Sequence, residues 1–462
     1  MPIFADLLSE RLRAAHPHAA LALLGRYGIS RGVIDTIRKK MENRWHNLPA
    51  PVPVGSIIGS DGSFINYQLR DGSILLINRA IALGLGKEKR EIDMGIVFGN
   101  STDINFFQGH LSQFLEIRAT YKLIEELKPE YALLDGSLMT LFTNLPFDIP
   151  IRTLDRHSPL KFSSFAFPAS GLPINLTLEV GKLIRIAKNS GTTLIGVSKD
   201  SNASYLENLI LDPSIYNQIK LLELPFEASN KLNSAYESFL RNPMATIAQF
   251  KKIGLKNKMQ DDPEWHRLMD ILSFRLSATS DCAMLSLMVP NTGFSTPLEL
   301  SATPQQERIW KRSPTDFLKR NFYQTIGDIP VEFRDQFEEA ILNAIKEINK
   351  FDTIITTYIH FENNGRPIRL DLIASDAGYT GRAFINAEDP HFVEITPEVE
   401  KAIAIAHGSY VNDKIHNTLL WEADEIVKMR RGDTGVVYLD ILEQETGLSR
   451  FEFLSRREIR EW

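Results

Sequence analysis

The sequence predicts an α/β protein in which a mixed sheet is flanked by helices, with a helical N-terminal extension and insertions. Strand-like segments fill residues 54 to 108, and a helical apolar stripe follows over residues 110 to 128. A continuous apolar strand, YALLDGSL, then begins at Tyr131. Such a run is typical of a strand that is covered on both faces, and strands that alternate with helices form a layered α/β fold.

Composition is that of a globular protein with a sizeable core, since 43% of the 462 residues are apolar and 24% are charged. No apolar run reaches the length of a membrane span, and the N-terminus has no basic region before an apolar one. The expected location is therefore the cytoplasm, with no membrane partner. Cys282 is the only cysteine, which excludes an internal disulfide and a cysteine metal site.

Three regions are expected along the chain. Residues 1–50 form a helical N-terminal region, and Pro51 and Pro53 then break the pattern. Residues 54–430 form the main domain, within which 203–330 is a mainly helical insertion or subregion, and 431–462 form a C-terminal tail.

Individual elements of the main domain can also be predicted. Residues 174 to 189 favour a helix that precedes a buried strand, TTLIGVSKDS. The segment AMLSLMVP is strand-like, and a hairpin is expected to turn at residues 363 to 365. A last helix is predicted over about 410 to 429.

The tripeptide Asp-Gly-Ser occurs three times, at Asp61, Asp71 and Asp135. Asp-Gly is common turn chemistry, because glycine accepts positive φ and aspartate bonds its own backbone. Asp71 lies between two strand-like segments and is predicted to form a hairpin turn. Asp61 and Asp135 are placed at the ends of strands, where they are either further turns or acids directed into a site.

The order of elements resembles the ribonuclease-H-like fold, in which three antiparallel strands precede a helix and a further strand. The resemblance implies that acids on the first and fourth strands converge with a helix acid, and Asp61, Glu116 and Asp135 occupy those places. Asp424 is available as a fourth acid from the last helix. Clustered carboxylates repel one another unless cations neutralise them, and hard oxygen ligands suit Mg²⁺ or Mn²⁺. Paired ions of this kind support phosphodiester cleavage. The simpler alternative is two turn aspartates and one exposed helix glutamate.

Several segments in order resemble the NurA nuclease family: GSDGSFI with SILLINRAIALG, FLEIRATYKLIEEL, YALLDGSL, LIGVSKDS, TSDCAMLSLMVPNTGFSTPL, YIHFENNGRPIRLDLIA and HNTLLWEADEIV. The resemblance implies a deoxyribonuclease that uses Mn²⁺ or Mg²⁺ and acts as a 5′–3′ exonuclease and single-strand endonuclease. Its implied substrates are single-stranded DNA and duplex ends during end resection and repair. Its implied partners are a HerA-like hexameric ATPase and a second copy of the chain.

The resemblance also implies roles for individual residues. Asp61, Glu116 and Asp135 would be metal ligands, joined by Asp424. The family commonly has Tyr-Pro at the start of its last motif and His or Asp eight residues later, whereas this chain has His416-Asn417 and Asp424. His416 would then contact a phosphate or water, or simply cap the helix.

Basic residues outside the acidic set are further candidates. Lys199 would approach the scissile phosphate or balance the acidic pocket. Arg366 and Arg369 flank the predicted hairpin and would contact phosphates or pair with local acids, while Asp281 is expected to be structural.

Two other classes of function remain at this stage. A net charge of −6 does not indicate nucleic-acid binding, although the basic residues occur in clusters along the sequence. The chain could be a catalytically inactive adaptor of a DNA translocase, but it retains all three core acids. An actin-like phosphotransferase also uses Asp-Gly loops, yet the sequence has neither a convincing Gly-rich adenosine loop nor a P-loop.

Overall fold

The computed structural model describes a large part of the chain. The described residues are 31–53, 55–143, 152–153, 162–163, 171–199, 201–237, 243–259, 261–277, 280–289, 291–303, 307, 331–386, 389–430, 432 and 435–460. Most of the predicted N-terminal helical region, residues 1–30, lies outside this set. Within the set, no helix is long and apolar enough to cross a membrane.

The described strands are short at both ends of the chain and long near the start of the main domain. They are β1 (Trp45–His46), β2 (Ile57–Gln68), β3 (Ile74–Gly84), β4 (Lys87–Phe98), β5 (Tyr131–Asp135), β6 (Arg152–Thr153), β7 (Thr193–Ser198), β8 (Gly293–Ser295), β9 (Leu298–Leu300), β10 (Ile354–His360), β11 (Ile368–Ile373) and β12 (His391–Phe392).

Helices separate and cover these strands. The described helices are α1 (Arg31–Glu42), α2 (Ser101–Leu127), α3 (Leu138–Thr143), α4 (Leu172–Ser190), α5 (Tyr205–Leu221), α6 (Phe226–Glu237), α7 (Pro243–Lys256), α8 (Pro263–Ser277), α9 (Asp281–Met288), α10 (Val331–Ile348), α11 (Pro397–Gly408), α12 (Thr418–Val427), α13 (Val436–Thr446), α14 (Arg450–Phe453) and α15 (Arg456–Arg460).

The chain divides into two compact units. Unit 1 comprises the described parts of Met1–Leu48, Lys199–Thr296 and Tyr358–Ile368. Unit 2 comprises the described parts of Pro49–Ser198, Pro297–Thr357 and Arg369–Trp462.

Unit 2 is built on a mixed sheet, which confirms the predicted fold class. Within it β11, β7, β5, β2, β3 and β4 lie side by side in that order. β2, β3 and β4 are antiparallel neighbours, whereas β2 and β5 are parallel. The predicted adjacency of the first and fourth strands of this core is therefore confirmed. β7 is parallel to β5 and antiparallel to β11.

The turn at Asp71 joins β2 to β3 as predicted. Gly72 has a φ of 88°, which a residue with a side chain adopts only at a cost. The Asp71 carboxylate accepts hydrogen bonds from the backbone N–H and the hydroxyl of Ser73, at 3.0 and 2.6 Å. Asp71 thus stabilises its own turn.

The helix that carries Glu116 is longer than the sequence predicts. α2 starts at Ser101 instead of about residue 110, because the Asn100 side chain accepts a bond from the Asp103 N–H at 3.0 Å and so caps the helix. It ends at Lys128, which adopts a left-handed conformation with φ of 47°. Pro129 follows, as predicted.

In unit 1 the described residues between 205 and 288 are mainly helical, with α5 to α9 packed on one another and on α1. The predicted strand AMLSLMVP is wrong, since residues 283–288 of this segment lie in α9 (Asp281–Met288). Ser280 caps α9 by accepting a bond from the Ala283 N–H at 3.2 Å. Met284 and Met288 are both buried, so the apolar run has helical spacing, which a short run alone does not reveal.

The two predictions for the last third of the main domain have different outcomes. The hairpin between β10 and β11 is confirmed, with Asn364 at a φ of 59° in its turn. The last helix is shorter than predicted, because α12 begins only at Thr418. The Asn417 side chain starts it by accepting bonds from the N–H groups of Leu419 and Leu420, both at 3.1 Å.

The C-terminal segment is ordered against the sheet of unit 2. Leu439 and Leu454 are buried in an apolar cluster with residues of β2 and β3: Ile65, Tyr67, Leu75 and Ile77. Leu454 also forms a bridge with Leu69, just beyond the end of β2. The tail therefore covers one end of the β2–β3 hairpin.

Candidate metal centre

Asp61 and Asp135 lie at matching positions on two parallel neighbours. The pairing between β2 and β5 runs up to Ser60 and Leu134, so each aspartate is the next residue after the last pair. Asp61 is buried with 9% of its surface exposed, and Asp135 is half-buried. The parallel register therefore brings both acids to one edge, where β5 ends.

The prediction that Asp61 ends its strand is wrong. β2 continues through Asp61 to Gln68, and Gly62 is paired with Ala80 of β3. The pairing of β2 with β3 therefore continues beyond the point where the parallel pairing with β5 ends. The Asp61 carboxylate accepts a bond from the Gly62 N–H at 2.7 Å.

Two glycines show which side of β2 faces which helix. A Cβ on Gly59 would lie 3.0 Å from Leu419 of α12, and one on Gly62 would lie 2.5 Å from the Ser112 hydroxyl of α2. Because side chains alternate along a strand, Asp61 shares the side of Gly59 and Ser60 shares the side of Gly62. The missing side chain at Gly62 lets α2 approach β2 closely.

Glu116 joins the two aspartates from α2. Its carboxylate is buried, with 8% of the residue exposed, and accepts a hydrogen bond from the Ser60 hydroxyl at 3.0 Å. The backbone N–H of Asp135 also bonds it. Burial, followed by the negative charges of Asp61 and Asp135, raises the pKa of Glu116 well above its usual value. The three acids therefore form one electrostatic group, and we call it the acidic centre.

The donor set of the acidic centre fits a hard divalent cation. Carboxylate oxygens are the ligands that Mg²⁺ and Mn²⁺ prefer, and the charges that act on Glu116 are both negative. Within the described ranges, no three His, Cys, Asp or Glu side chains are arranged to hold a metal ion as they stand. Binding a cation would thus require these carboxylates to turn toward it.

The remaining acidic candidate, Asp424, lies on α12 and is about a third exposed. Its side chain pairs with Lys428 at 3.2 Å. The charges that raise the pKa of Glu116 come from Asp61 and Asp135 instead. His416 is buried and precedes Asn417, which is the residue that caps α12. The roles of Asp424 and His416 stay predictions.

The basic candidates divide into two kinds. Lys199 and Arg366 both belong to unit 1 and line one cavity of about 270 Å³. Among the residues that the structure describes, the cavity is also lined by Ser201, Asn202, Ser280, Cys282, Ala283, Ser286 and Pro367. Arg369 is different, because its guanidinium is buried and pairs with Asp371 at 2.8 Å. The predicted pairing of Arg369 with a local acid is thus confirmed, and a phosphate contact does not fit its burial.

Asp281 makes structural bonds within unit 1, as predicted. Its carboxylate is fully buried and accepts bonds from the N–H groups of Leu206 and Glu207, at 3.1 and 2.7 Å. The Tyr358 hydroxyl donates to it as well.

Sequence reasoning missed one residue that bonds Glu116 and one that bonds the loop after Asp135. Ser60 was not singled out, although it immediately precedes Asp61 and alternates to the side of α2. Asp371 was also missed, and it accepts a bond from the Ser137 hydroxyl at 2.7 Å. The signal for Asp371 was present, because Arg369 and Asp371 are opposite charges two residues apart in the otherwise apolar strand IRLDLI.

This architecture and the acidic centre define an α/β protein with a carboxylate site suited to a divalent cation. The NurA domain matches residues 55–428 of the chain. The chain therefore belongs to the NurA nuclease family, which confirms the resemblance seen in its motifs. The match does not support the actin-like alternative.

Solved NurA structures resemble this chain at low sequence identity. The crystal structure of the NurA nuclease from Sulfolobus solfataricus is 13% identical with a TM-score of 0.48, covering 95% of this chain and 98% of that one. A crystal structure of NurA with manganese is 14% identical with a TM-score of 0.37, covering 89% and 96%. Another, bound to dAMP and manganese, is 14% identical with a TM-score of 0.33, covering 90% and 94%. No curated protein matches the chain.

Proposed function

We propose that this chain is a divalent-metal-dependent deoxyribonuclease whose ligands include Asp61, Glu116 and Asp135. One observation carries the proposal: Glu116 is buried beside two other carboxylates that raise its pKa. Such a group is stable when it takes up a proton or when a cation neutralises it. A hard divalent cation fits the oxygen donors, and Mn²⁺ or Mg²⁺ is the expected ion.

Different residues of the chain would have different roles around the cation. A bound divalent ion supplies Lewis acidity for hydrolysis of a phosphodiester bond. Ser60 and the Asp135 N–H hold the Glu116 carboxylate in place. Asp61 projects to the side of β2 that faces α12, and this favours Asp424 as a further ligand and His416 as a contact to phosphate or water.

DNA phosphates would be bound by the cavity in unit 1. Lys199 and Arg366 supply two positive charges there, and Ser201, Ser280 and Ser286 supply hydroxyls. Arginine forks and lysine ammonium groups both bind phosphate oxygens, so we expect binding to weaken as salt rises.

Family membership supports a proposal for the substrate and the partners. We propose single-stranded DNA and duplex ends as substrates, cut by 5′–3′ exonuclease and single-strand endonuclease activity in end resection. A HerA-like hexameric ATPase is the proposed partner, and a homodimer is the proposed state. A net charge of −6 is easier to reconcile with DNA binding if a partner holds part of the DNA.

A cleavage assay tests the proposal. Purified protein is incubated with labelled single-stranded and linear duplex DNA in Mn²⁺, Mg²⁺ or EDTA, beside Asp61→Ala and Asp135→Ala variants whose folding is checked by circular dichroism. We expect cleavage in metal, none in EDTA, and a loss of about 1000-fold or more in both variants, which corresponds to about 4 kcal/mol of transition-state stabilisation.

Asp71→Ala is the matched control, since it alters the same tripeptide in a turn. Cleavage that survives in both Asp61→Ala and Asp135→Ala would contradict the assigned centre. No cleavage by the wild type, even with a HerA-like ATPase and ATP, would favour the inactive adaptor.

A further inference from the structure

The loop that follows Asp135 is held from another strand by a buried ion pair. Ser137 donates its hydroxyl to Asp371 Oδ2 at 2.7 Å, and the Met139 N–H donates to the same oxygen at 3.3 Å. On the other side, Arg369 Nε donates to Asp371 Oδ1 at 2.8 Å. Thr356 adds a hydroxyl bond to Oδ1 at 2.7 Å. Oδ2 of Asp371 thus accepts hydrogen bonds from the loop after Asp135, and Oδ1 accepts them from residues of the sheet.

The register of the sheet explains how the loop reaches Asp371. Leu134 of β5 pairs with Gly196 of β7, and Gly196 pairs with Asp371 of β11. A Cβ on Gly196 would lie 2.8 Å from the Gly136 carbonyl oxygen and 2.9 Å from the Leu138 nitrogen. Because Gly196 has no side chain, the loop can cross directly over β7.

Two further bonds fix the loop at its start. The Gly136 N–H donates to the Val197 carbonyl at 2.9 Å, and Gly136 has a φ of 136°, in the region that favours glycine. The Ser137 hydroxyl also accepts a bond from the Thr140 N–H at 3.2 Å and so begins α3. The backbone of residues 136 to 139 is therefore held by hydrogen bonds to β7 at its start and to β11 at its end.

The residue that enters this loop is Asp135, whose backbone N–H bonds Glu116. A displacement of the loop would thus move one acid directly and remove a support from a second. Bonds of this kind, which orient ligands without touching the metal, commonly change metal affinity by about 10-fold to 100-fold.

We propose that Asp371 is a positioning residue for the acidic centre, acting through Ser137 on the loop that carries Asp135. Arg369 pairs with the buried carboxylate of Asp371, and that carboxylate accepts the two loop bonds; hydrogen bonds to a charged acceptor are stronger than neutral ones. This inference rests on the proposed metal site. It assigns Asp371 no contact with the cation or the DNA.

A purely structural pair would behave differently from a positioning residue. If Asp371 and Arg369 only stabilise the sheet, their loss lowers the stability of unit 2 and leaves metal affinity unchanged in the folded protein. The two roles therefore separate in a measurement of Mn²⁺ binding made on folded protein.

The experiment titrates Mn²⁺ into folded protein and follows the free ion by electron paramagnetic resonance, with no DNA present. Variants are Ser137→Ala, Asp371→Asn and the two combined, with Asp135→Ala as the reference for a lost ligand. Thr353→Val is the matched control, because Thr353 makes another buried hydroxyl–carboxylate bond in unit 2, to Glu299 at 2.7 Å.

We expect Ser137→Ala and Asp371→Asn each to raise the Kd for Mn²⁺ by about 10-fold or more. The combined variant should bind Mn²⁺ no more weakly than Asp371→Asn alone, because both changes break the same connection between Ser137 and Asp371. Thr353→Val should stay within about 2-fold of the wild type, since its bond to Glu299 shares no partner with the loop bonds.

The outcomes separate this inference from the proposed function. Mn²⁺ binding that is lost in Asp135→Ala but unchanged in Ser137→Ala and Asp371→Asn would overturn the positioning role and leave the metal centre intact. Binding that is equal in the wild type and Asp135→Ala, or absent from both, would overturn the metal centre and this inference with it. If Asp371→Asn does not fold, Ser137→Ala decides alone, because it leaves the ion pair in place.

Discussion

Each of the two units contains a group of three carboxylates, and the groups differ in the charges that act on their buried glutamate. In unit 1, Glu207 and Asp212 surround Arg275, whose guanidinium contacts Asp212 and lies 3.9 Å from Glu207 Oε1. Asp281 lies nearby, and its negative charge acts on Glu207. In unit 2, the negative charges of Asp61 and Asp135 act on Glu116 in the acidic centre.

The contrast distinguishes a structural cluster from a candidate site. The unit 1 cluster has its own cation, and its third acid is bonded by backbone N–H groups and a tyrosine hydroxyl. Glu116 has a serine hydroxyl and one backbone N–H. Burial is similar in the two clusters, so they are distinguished by the charges that act on the buried glutamate: an arginine is among them for Glu207, and two aspartates act on Glu116.

The largest expected effect is on the cluster in unit 1. Arg275→Met keeps much of the side-chain volume but leaves Asp212, and above about pH 8 also Glu207, without a cation, which should lower the free energy of unfolding by about 3–5 kcal/mol at about pH 9. Chemical denaturation measures this change. Arg267→Met is the control, since Arg267 pairs with Glu264 at an exposed site and should cost less than about 1 kcal/mol. Equal effects of the two variants would contradict the structural role of Arg275.

The acidic centre should respond to metal rather than to loss of a side-chain cation. At a Mn²⁺ concentration about 100 times its Kd, the wild type should gain about 2.7 kcal/mol of stability by mass action. Glu116→Gln should lose most of this gain, because a neutral amide is a poorer ligand for the ion. Thermal melts in Mn²⁺ and in EDTA measure it.

Glu126→Gln is the control for that comparison. Glu126 lies on the same helix and pairs with Lys87 and Lys89 at the surface, so the variant should keep the full Mn²⁺ gain. A Glu116→Gln variant that is stabilised as much as Glu126→Gln would remove Glu116 from the ligand set.

The pH dependence of stability tests the electrostatics of the carboxylate cluster in unit 1. Burial, with the charges of Asp281 and Asp212, outweighs Arg275 and raises the pKa of Glu207 from 4.5 to about 8. The folded protein therefore holds a proton that the unfolded chain releases above about pH 4.5. The stability from this group is complete below that pH and is lost as pH rises to about 8.

Denaturation of the metal-free protein between pH 5 and pH 8 tests this sign. We expect the contribution of Glu207 to fall by about 3–4 kcal/mol across the range. Glu207→Gln, which cannot ionise, should flatten the profile by that amount. A wild type and a Glu207→Gln variant with parallel profiles would show that Glu207 titrates normally.

The smallest expected effect is at the third Asp-Gly-Ser tripeptide. Asp71→Ala removes the two bonds to Ser73 and should cost less than about 1 kcal/mol, the usual worth of a hydrogen bond near the surface. Cleavage should stay within about 2-fold of the wild type. A loss of activity as large as that of Asp135→Ala would mean that the turn at Asp71 contributes to the site.

Sequence reasoning located much of unit 2, because its signals are local. The β2–β3 hairpin has an Asp-Gly turn, and α2 and β5 have clear apolar patterns, so Asp61, Glu116 and Asp135 could be named in order. The parallel pairing of β2 with β5 depends on contacts about 70 residues apart in the chain, and a resemblance to a known fold supplied it.

Other features were hidden because they depend on partners distant in sequence. The helix α9 was predicted as a strand, since a short and mostly apolar run fits either period until Ser280 is seen to cap it. Asp371 is an isolated acid until the register places it beside Gly196 and under the loop from Asp135. Arg369 shows the same limit, because only burial decides between a phosphate contact and an internal ion pair.

Anomalous diffraction from crystals soaked in Mn²⁺ tests the central claim most directly. We expect a manganese peak bound by carboxylate oxygens of Asp61, Glu116 and Asp135, at about 2.0–2.6 Å, the range for hard divalent cations. The peak should vanish in crystals of Asp135→Ala. A manganese ion bound elsewhere, with these three carboxylates left uncoordinated at saturating Mn²⁺, would contradict the assignment of the acidic centre.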